Sequence, residues 1–309
     1  MEIFFREIMQ KRRRHIAILT MLAAVLATGC TDKEAVVVPS FVSVDAIKLV
    51  MPTEDALSTD SGFYVSDIVA ARLVAHYPGR TTLDTIGLFE LPLTAPVLYD
   101  GTVDYIEIFP TVEQSGSSKA LIPYTFYKSI RIDGAELHRE DTLTLGTLTT
   151  TFDPVVEALM FEPFEPTEGS LLFDSVMTWE PHAAGDACTG EGYGRIHVTS
   201  DQSSRNCAIK RDFTVADKTK ALYLELDTRS DMSFEVYMHS RYTGGGAIDR
   251  QPVMVVRASE QWEHLYINLG RTWYYFNYYP DFTLSISALN VDGKEGDLRL
   301  DNVKLITRP

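Results

Sequence analysis

Residues 221–228 read Ala-Leu-Tyr-Leu-Glu-Leu-Asp-Thr, and residues 231–239 read Asp-Met-Ser-Phe-Glu-Val-Tyr-Met-His. In the first stretch, Leu222, Leu224 and Leu226 lie on one side of an extended chain, and the residues between them lie on the other. Alternation with a period of two is typical of a β-strand that has one face in a core. The two stretches therefore predict two β-strands.

The same alternation continues in short runs through most of the chain after residue 40, with Gly, Pro, Asn and Asp between the runs. No window predicts a helix, and the spacing of the runs is typical of β-sandwiches. A domain boundary is expected within residues 152–169, because the prolines there cannot donate to a central ladder. We predict an all-β protein with two β-sandwich domains, immunoglobulin-like over residues 41–151 and a jelly roll over residues 152–309.

The composition indicates a folded protein. Hydrophobic residues make up 45% of the 309 residues and charged residues 23%, which excludes wholesale disorder. The chain has 28 basic and 43 acidic residues and a net charge of -15. Because phosphate binding needs a concentrated basic face, we expect no nucleic-acid partner.

The N-terminus has the layout of an export signal. A basic stretch at residues 11–14 precedes an apolar run from Ile16 to Ala27, which is too short for a stable membrane-spanning helix. This order is typical of a secretory signal peptide. We predict that residues 1–29 are removed and that residues 30–40 form a lipidated Cys30 and its tether.

The residues at the expected cleavage site, Leu26-Ala27-Thr28-Gly29-Cys30, resemble the lipobox of bacterial lipoproteins, although leucine stands one place further from the cysteine than is common. The resemblance implies that Cys30 carries acyl chains that hold the protein on a membrane. An ordinary secreted protein with a free Cys30 is the alternative. The following Asp32-Lys33-Glu34 resembles the signal for the outer membrane in many Bacteroidota lipoproteins, which implies an outer-membrane location on the periplasmic or cell-surface face.

Two cysteines remain after Cys30. An even number in an exported chain favours a disulfide between Cys188 and Cys207. Closing a loop of about 20 residues would stabilise the fold by roughly 3 kcal/mol. Free thiols or a metal site are the alternatives, although no Cys-x-x-Cys or histidine in metal-finger spacing accompanies them.

Several short motifs of the first half resemble a group of outer-membrane lipoproteins from Bacteroidota. In that group a small sandwich of the PEGA type precedes a galactose-binding-like jelly roll. The motifs are Gly87-Leu-Phe-Glu-Leu-Pro92, Ala95-Pro-Val-Leu98, Gly101, Ile106-Glu-Ile-Phe-Pro110, Gly116 and Pro123-Tyr-Thr-Phe-Tyr127.

The last strand also carries a resemblance. Residues 298–306 are similar to the closing strand of galactose-binding-like jelly rolls and carbohydrate-binding modules. Alternation slips at Asp301-Asn302, which predicts a β-bulge. In some such modules an acidic residue near this strand holds a structural calcium, so Asp301 is a candidate calcium ligand; a bulge capped by a polar side chain is the alternative. No other cofactor or metal is expected.

The chain lacks the sequence motifs of common catalytic sites. It has no His-Glu-x-x-His, no Gly-x-Ser-x-Gly elbow and no Walker loop. A pair of carboxylates for glycoside hydrolysis is not readable from the sequence, so an accessory glycoside hydrolase stays an alternative. We predict that the protein is not an enzyme.

An aromatic cluster at Trp273-Tyr-Tyr-Phe-Asn-Tyr-Tyr-Pro280 is the most informative segment for function. It lies between two predicted strands, where a jelly roll places a loop. Flat rings stack on the C–H-rich faces of sugars, so we predict a ligand surface formed by Trp273, Tyr275, Tyr278 and Tyr279. Packing of the same rings in the core or at a sheet edge is the alternative.

These observations predict a lipid-anchored, non-enzymatic protein of the cell envelope. Its C-terminal jelly roll would bind a glycan or an envelope protein. A purely structural component of an envelope complex is the alternative.

Overall fold

Strands dominate the computed structural model, which describes residues 38–115, 120–165, 172–183, 189–215, 217–241, 248–276 and 279–308. The all-β fold class is confirmed. The predicted signal peptide, Cys30, Cys188 and Tyr278 lie outside the described residues.

The first half of the described chain consists of short strands, several of which alternate buried and less buried residues. They are β1 (Ser40–Val44), β2 (Ala46–Leu49), β3 (Ile68–His76), β4 (Asp84–Glu90), β5 (Leu93–Val97), β6 (Gly101–Thr102), β7 (Tyr105–Gln114), β8 (Ala120–Pro123), β9 (Ile130–Asp133), β10 (Glu136–Leu137), β11 (Thr142–Thr144) and β12 (Thr147–Thr150).

Two layers of strands form the first β-sandwich. One layer has the order β4-β3-β7-β8, with β9 beside β7, and the other contains β11-β1-β5 and the parallel pair β12-β2. Val42, Leu73 and Ile106 meet in the core between the layers. The sequence predicts single strands over residues 41–50 and 142–150, but both break, at Asp45 and at Gly146, whose φ is 65°.

The second half has longer strands. They are β13 (Glu157–Glu162), β14 (Thr178–Pro181), β15 (Gly192–Val198), β16 (Ser204–Ala208), β17 (Phe213–Thr214), β18 (Ala221–Ser230), β19 (Phe234–Arg241), β20 (Ile248–Val256), β21 (Ser259–Asn268), β22 (Asp281–Leu289) and β23 (Gly296–Arg308).

These strands form a second sandwich of two antiparallel sheets. The first sheet has the order β14-β15-β23-β18-β21, with β13 beside β23, and the second has the order β16-β22-β19-β20, with β17 beside β22. The leucines that alternate along β18 face the core, and so do Phe234, Val236 and Met238 of β19. A 3-10 helix covers Ser61–Tyr64, and a helix that we call α1 covers Gly270–Tyr275. The expectation that no segment is helical is therefore wrong at α1.

The bulge predicted at Asp301-Asn302 is confirmed. The register between β18 and β23 shifts between Glu225 and Asp227, and Asn302 has a φ of 48°. The backbone N–H of Asn302 donates to Asp301 Oδ1 at 2.8 Å. The bulge is thus capped by the aspartate side chain, and a calcium ion at Asp301 stays a prediction.

The predicted disulfide between Cys188 and Cys207 stays a prediction, because Cys188 lies outside the described residues. Cys207 is a buried thiol, and its Sγ donates to Asp174 Oδ1 at 3.3 Å. Burial and the neighbouring Asp174 carboxylate raise the pKa of Cys207. Cys207 lies in β16 and its side chain belongs to the core of the second sandwich.

A third core lies between the two sandwiches. It contains rings from the first half, among them Phe63 and Tyr124, and Tyr223, Tyr266 and Ile306 from the second. The phenol of Tyr266 accepts a hydrogen bond from the backbone N–H of Asp67 at 2.9 Å. The chain from Ser40 onward accordingly forms one compact body.

A buried ion pair crosses this third core. Lys304 and Glu225 are both fully buried, with Lys304 Nζ 2.9 Å from Glu225 Oε2. The same ammonium donates to the backbone carbonyls of Phe63 at 2.7 Å and Val65 at 3.0 Å. The Tyr124 hydroxyl donates to Glu225 Oε1 at 2.6 Å. Strands of the second sandwich are therefore tied by charge to backbone and side chain of the first.

Replacing Lys304 by methionine should lower the free energy of unfolding by about 3–5 kcal/mol, because Glu225 is left as a buried charge without its cation. The double variant Glu225→Leu/Lys304→Met removes both charges and should recover most of that loss. Urea unfolding at pH 7 measures both values. The exposed pair Arg80–Asp84 is the control, and Arg80→Met should change stability by no more than about 0.5 kcal/mol. A loss below about 1 kcal/mol for Lys304→Met would contradict the role of the pair.

Candidate functional site

The predicted ligand residue Trp273 belongs to the core. Helix α1 places Trp273 and Phe276 one turn apart, so both rings point into the second sandwich. The Trp273 side chain is fully buried, with its ring centroid 4.6 Å from that of Phe282. The ammonium of Lys218 lies over the Trp273 ring. The prediction that Trp273 contacts a ligand is therefore corrected.

Tyr274 and Tyr275, which lie between Trp273 and Phe276 in the sequence, face away from the core. Tyr274 is 62% exposed and Tyr275 is 61% exposed. The predicted ligand residue Tyr279 is half-buried; its ring packs on Phe276, and its hydroxyl donates to Asp249 Oδ2 at 3.3 Å. Of the described rings that we predicted, Tyr275 alone keeps the exposure that stacking on a ligand needs.

Helix α1 and strand β20 enclose a surface depression of about 670 Å³. Its lining residues are Gln251, Pro252, Val253, Arg271, Thr272, Tyr274 and Tyr275. The volume lies in the range of roughly 300–1,000 Å³ that is typical of small-molecule sites. Two exposed rings stand here beside an amide, a hydroxyl and a guanidinium, which are groups that bind hydroxyl-rich ligands. Among the described residues that line the depression, none is acidic.

The outer face of the neighbouring sheet is also polar and aromatic. The guanidinium of Arg250 lies 3.5 Å from the ring centroid of Tyr237. Beside this pair, His239 Nε2 and Ser285 Oγ are 2.7 Å apart, and the Ser285 hydroxyl donates to Asn206 Oδ1 at 3.0 Å. Strand β20 carries Arg250 and lines the depression, so the two surfaces share one strand.

Titratable side chains also surround the buried ion pair of Lys304 and Glu225. Burial alone would raise the pKa of Glu225, but Lys304, His264 and Tyr124 outweigh it and lower the pKa to about 2. Burial would likewise lower the pKa of His264, but hydrogen bonds to Asp227 at 2.6 Å and to Glu225 outweigh it and raise the pKa.

Perturbed pKa values often mark catalytic sites, but this group serves the fold. The side chains of Glu225 and His264 are 0% and 5% exposed, beneath the rings of the third core. Asp227 is also held by Asn302 Nδ2 at 2.7 Å. The carboxylates are thus buried and paired within the protein.

Sequence reasoning missed Arg271, Thr272 and Gln251 because it read residues 273–279 as an extended loop. One local signal for the helix existed. Asn268 lies two residues before Gly270, and its Oδ1 accepts the Gly270 N–H at 2.9 Å. Asn and Gly at this spacing favour a turn that can start a helix.

No protein-family model and no curated protein matches this sequence. Solved structures with a similar fold include a family 30 carbohydrate-binding module, which is 14% identical; the match covers 49% of this chain and 89% of that chain with a TM-score of 0.37. A family 29 carbohydrate-binding module complexed with mannohexaose is 10% identical, with coverage of 49% and 92% and a TM-score of 0.32. The same module complexed with cellulohexaose is 8% identical, with coverage of 50% and 93% and a TM-score of 0.32. The likeness concerns the β-sandwich fold.

The buried pair of His264 and Asp227 predicts a dependence of stability on pH. Because the folded pKa of His264 is raised, its contribution is complete below about pH 6.5 and is lost as the pH rises through the folded value. The contribution of Glu225, whose folded pKa is lowered, is lost as the pH falls below about 4.5 toward 2. Stability should therefore decline above about pH 6.5.

Urea unfolding between pH 5 and 9 measures this decline. His264→Gln should remove most of the alkaline slope, whatever its effect on absolute stability. His138, whose side chain is 60% exposed, supplies the control variant His138→Gln, which should keep the wild-type slope. An unchanged slope in His264→Gln would show that the buried histidine stays neutral.

Proposed function

We propose that the protein binds a glycan at the depression between α1 and β20, without a chemical step. The observation that carries the proposal is the pair of exposed rings, Tyr274 and Tyr275, on a helix whose other face is anchored in the core. Rings fixed in this way lose little conformational freedom on binding, which favours affinity. Gln251 and Thr272 supply amide and hydroxyl groups for the hydroxyls of a sugar.

We further propose that the chain is a lipoprotein of the outer membrane, held by acyl chains on Cys30. Among the described residues, no helix is long and apolar enough to cross a membrane. The support for an anchor comes from the lipobox-like residues 26–30 and the preceding apolar run. Because several acyl chains bind a bilayer strongly, the glycan site would be displayed at a membrane surface.

Glycan binding is tested by screening the full-length chain in detergent against polysaccharides, followed by calorimetry with the best binder. Tyr274→Ala and Tyr275→Ala should each weaken binding about tenfold, because loss of a stacked ring removes about 1–1.5 kcal/mol. Tyr275→Phe keeps the flat ring and should bind within about threefold of the wild type.

Leu98→Ala is the matched control on the first sandwich, where Leu98 is 70% exposed, and it should have no effect. Wild-type affinity in both alanine variants would remove the depression as the site. Absence of binding to every polysaccharide would contradict the function itself.

Lipid anchoring is tested by labelling cells with an alkyne fatty acid and separating detergent and aqueous phases. The wild-type chain should be labelled and enter the detergent phase, whereas Cys30→Ala should be unlabelled and stay aqueous. Cys207→Ala is the matched control and should be labelled like the wild type, because the Cys207 thiol is buried. Label that persists in Cys30→Ala would refute an anchor at this cysteine.

A further inference from the structure

The charged side chain that lines the depression is basic, although the chain as a whole is acidic. The full sequence has 43 acidic and 28 basic residues and a net charge of -15. Arg271 is nevertheless the one charged residue among the seven that line the depression. More distant acidic groups contribute little to the electrostatic potential at the depression, because charges are screened beyond about 8 Å at physiological salt.

Two other arginines of the second sandwich hold their guanidinium groups in ion pairs. Arg195 pairs with Asp297 at 2.8 Å, and Arg308 pairs with Asp153 at 3.0 Å. Arg271 is exposed and forms no ion pair with any residue of the described ranges. Its guanidinium therefore faces solvent beside Tyr274 and Tyr275.

One carboxylate lies close to the lining. Asp249 Oδ1 accepts from Gln251 Nε2 at 3.1 Å, and Asp249 Oδ2 accepts from the Tyr279 hydroxyl at 3.3 Å. Asp249 is not among the lining residues. One carboxylate oxygen is thus engaged by the lining residue Gln251 and the other by Tyr279.

A second exposed guanidinium stands on the same strand. Arg250 lies next to Gln251 on β20 and is also without an ion pair among the described residues. It uses the flat face of its guanidinium against Tyr237, which leaves the N–H groups at the edge for a ligand. Two exposed guanidinium groups without an ion pair among the described residues are therefore present near the exposed rings, Arg271 in the lining of the depression and Arg250 one residue before the lining residue Gln251.

We propose that the glycan carries carboxylate groups, as a polymer of uronic acids does, and that Arg271 binds them. This inference rests on the proposed glycan-binding function and names its ligand class. The planar fork of a guanidinium matches a carboxylate in a bidentate pair, which a neutral sugar cannot form. Arg250 provides a second carboxylate contact for a longer chain that extends from the depression along the sheet.

The test uses four carboxylated polysaccharides, each paired with the same polymer after chemical reduction of its carboxyl groups to alcohols. The polymers are polygalacturonan, alginate, hyaluronan and xylan that bears glucuronic acid. Affinity electrophoresis and calorimetry use the full-length chain in detergent. At least one carboxylated polymer should bind tenfold or more tightly than its reduced partner, and this ratio should shrink as salt rises.

Arg271→Gln should abolish the tenfold preference for the carboxylated polymer over its reduced partner, measured as the ratio of the two affinities. Arg250→Gln should lower the preference by a smaller factor. Arg257→Gln is the matched control, because it removes the same charge from an exposed residue outside the lining and should keep the preference.

The two proposals fail in different ways. Binding of neutral or reduced polymers with no preference for carboxylates would overturn this inference and leave glycan binding intact. A preference that survives Arg271→Gln would overturn the role of Arg271. Absence of binding to all carboxylated and neutral polymers would overturn both proposals together.

Discussion

The structure depends on the burial of the Lys304 ammonium against Glu225. A buried charge costs several kcal/mol unless its partners are all in place, and two of the partners are the backbone carbonyls of Phe63 and Val65. Those carbonyls belong to the first half of the chain, whereas the ion pair belongs to strands of the second. The two sandwiches are thus joined by hydrogen bonds of Lys304. These bonds would break if either sandwich moved by more than the length of a hydrogen bond.

The contact between the two sandwiches determines which faces of the second sandwich are covered. The aromatic rings of the third core cover the outer face of one sheet of the second sandwich. The opposite sheet and the turn after β21 are left to solvent, and there helix α1 presents Tyr274 and Tyr275. Because Trp273 and Phe276 pack in the core, the helix backbone that carries the two exposed rings is anchored from inside.

Much of the fold was predictable because a strand repeats its environment every two residues. The alternation in residues 221–228 assigned the core face correctly, and the slip at Asp301-Asn302 located a bulge. The same regularity could not predict the partner of Cys207, since spacing in the sequence does not show where a sulfur points. It also could not predict that Lys304, set among aliphatic residues of a strand, would find its carboxylate and carbonyl partners across a third core.

The sequence by itself determined most of the strands, their core faces and the position of the aromatic segment at residues 273–280. Only the tertiary structure decided which rings of that segment are available. In an extended chain Trp273 and Tyr275 would share a face, because residues two apart point the same way. In a helix residues three apart share a face, so Trp273 joins Phe276 in the core and Tyr275 joins Tyr274 outside. Packing of Trp273 and Phe276 against the sandwich favours the helical conformation. The local pattern of aromatic residues does not specify this conformation.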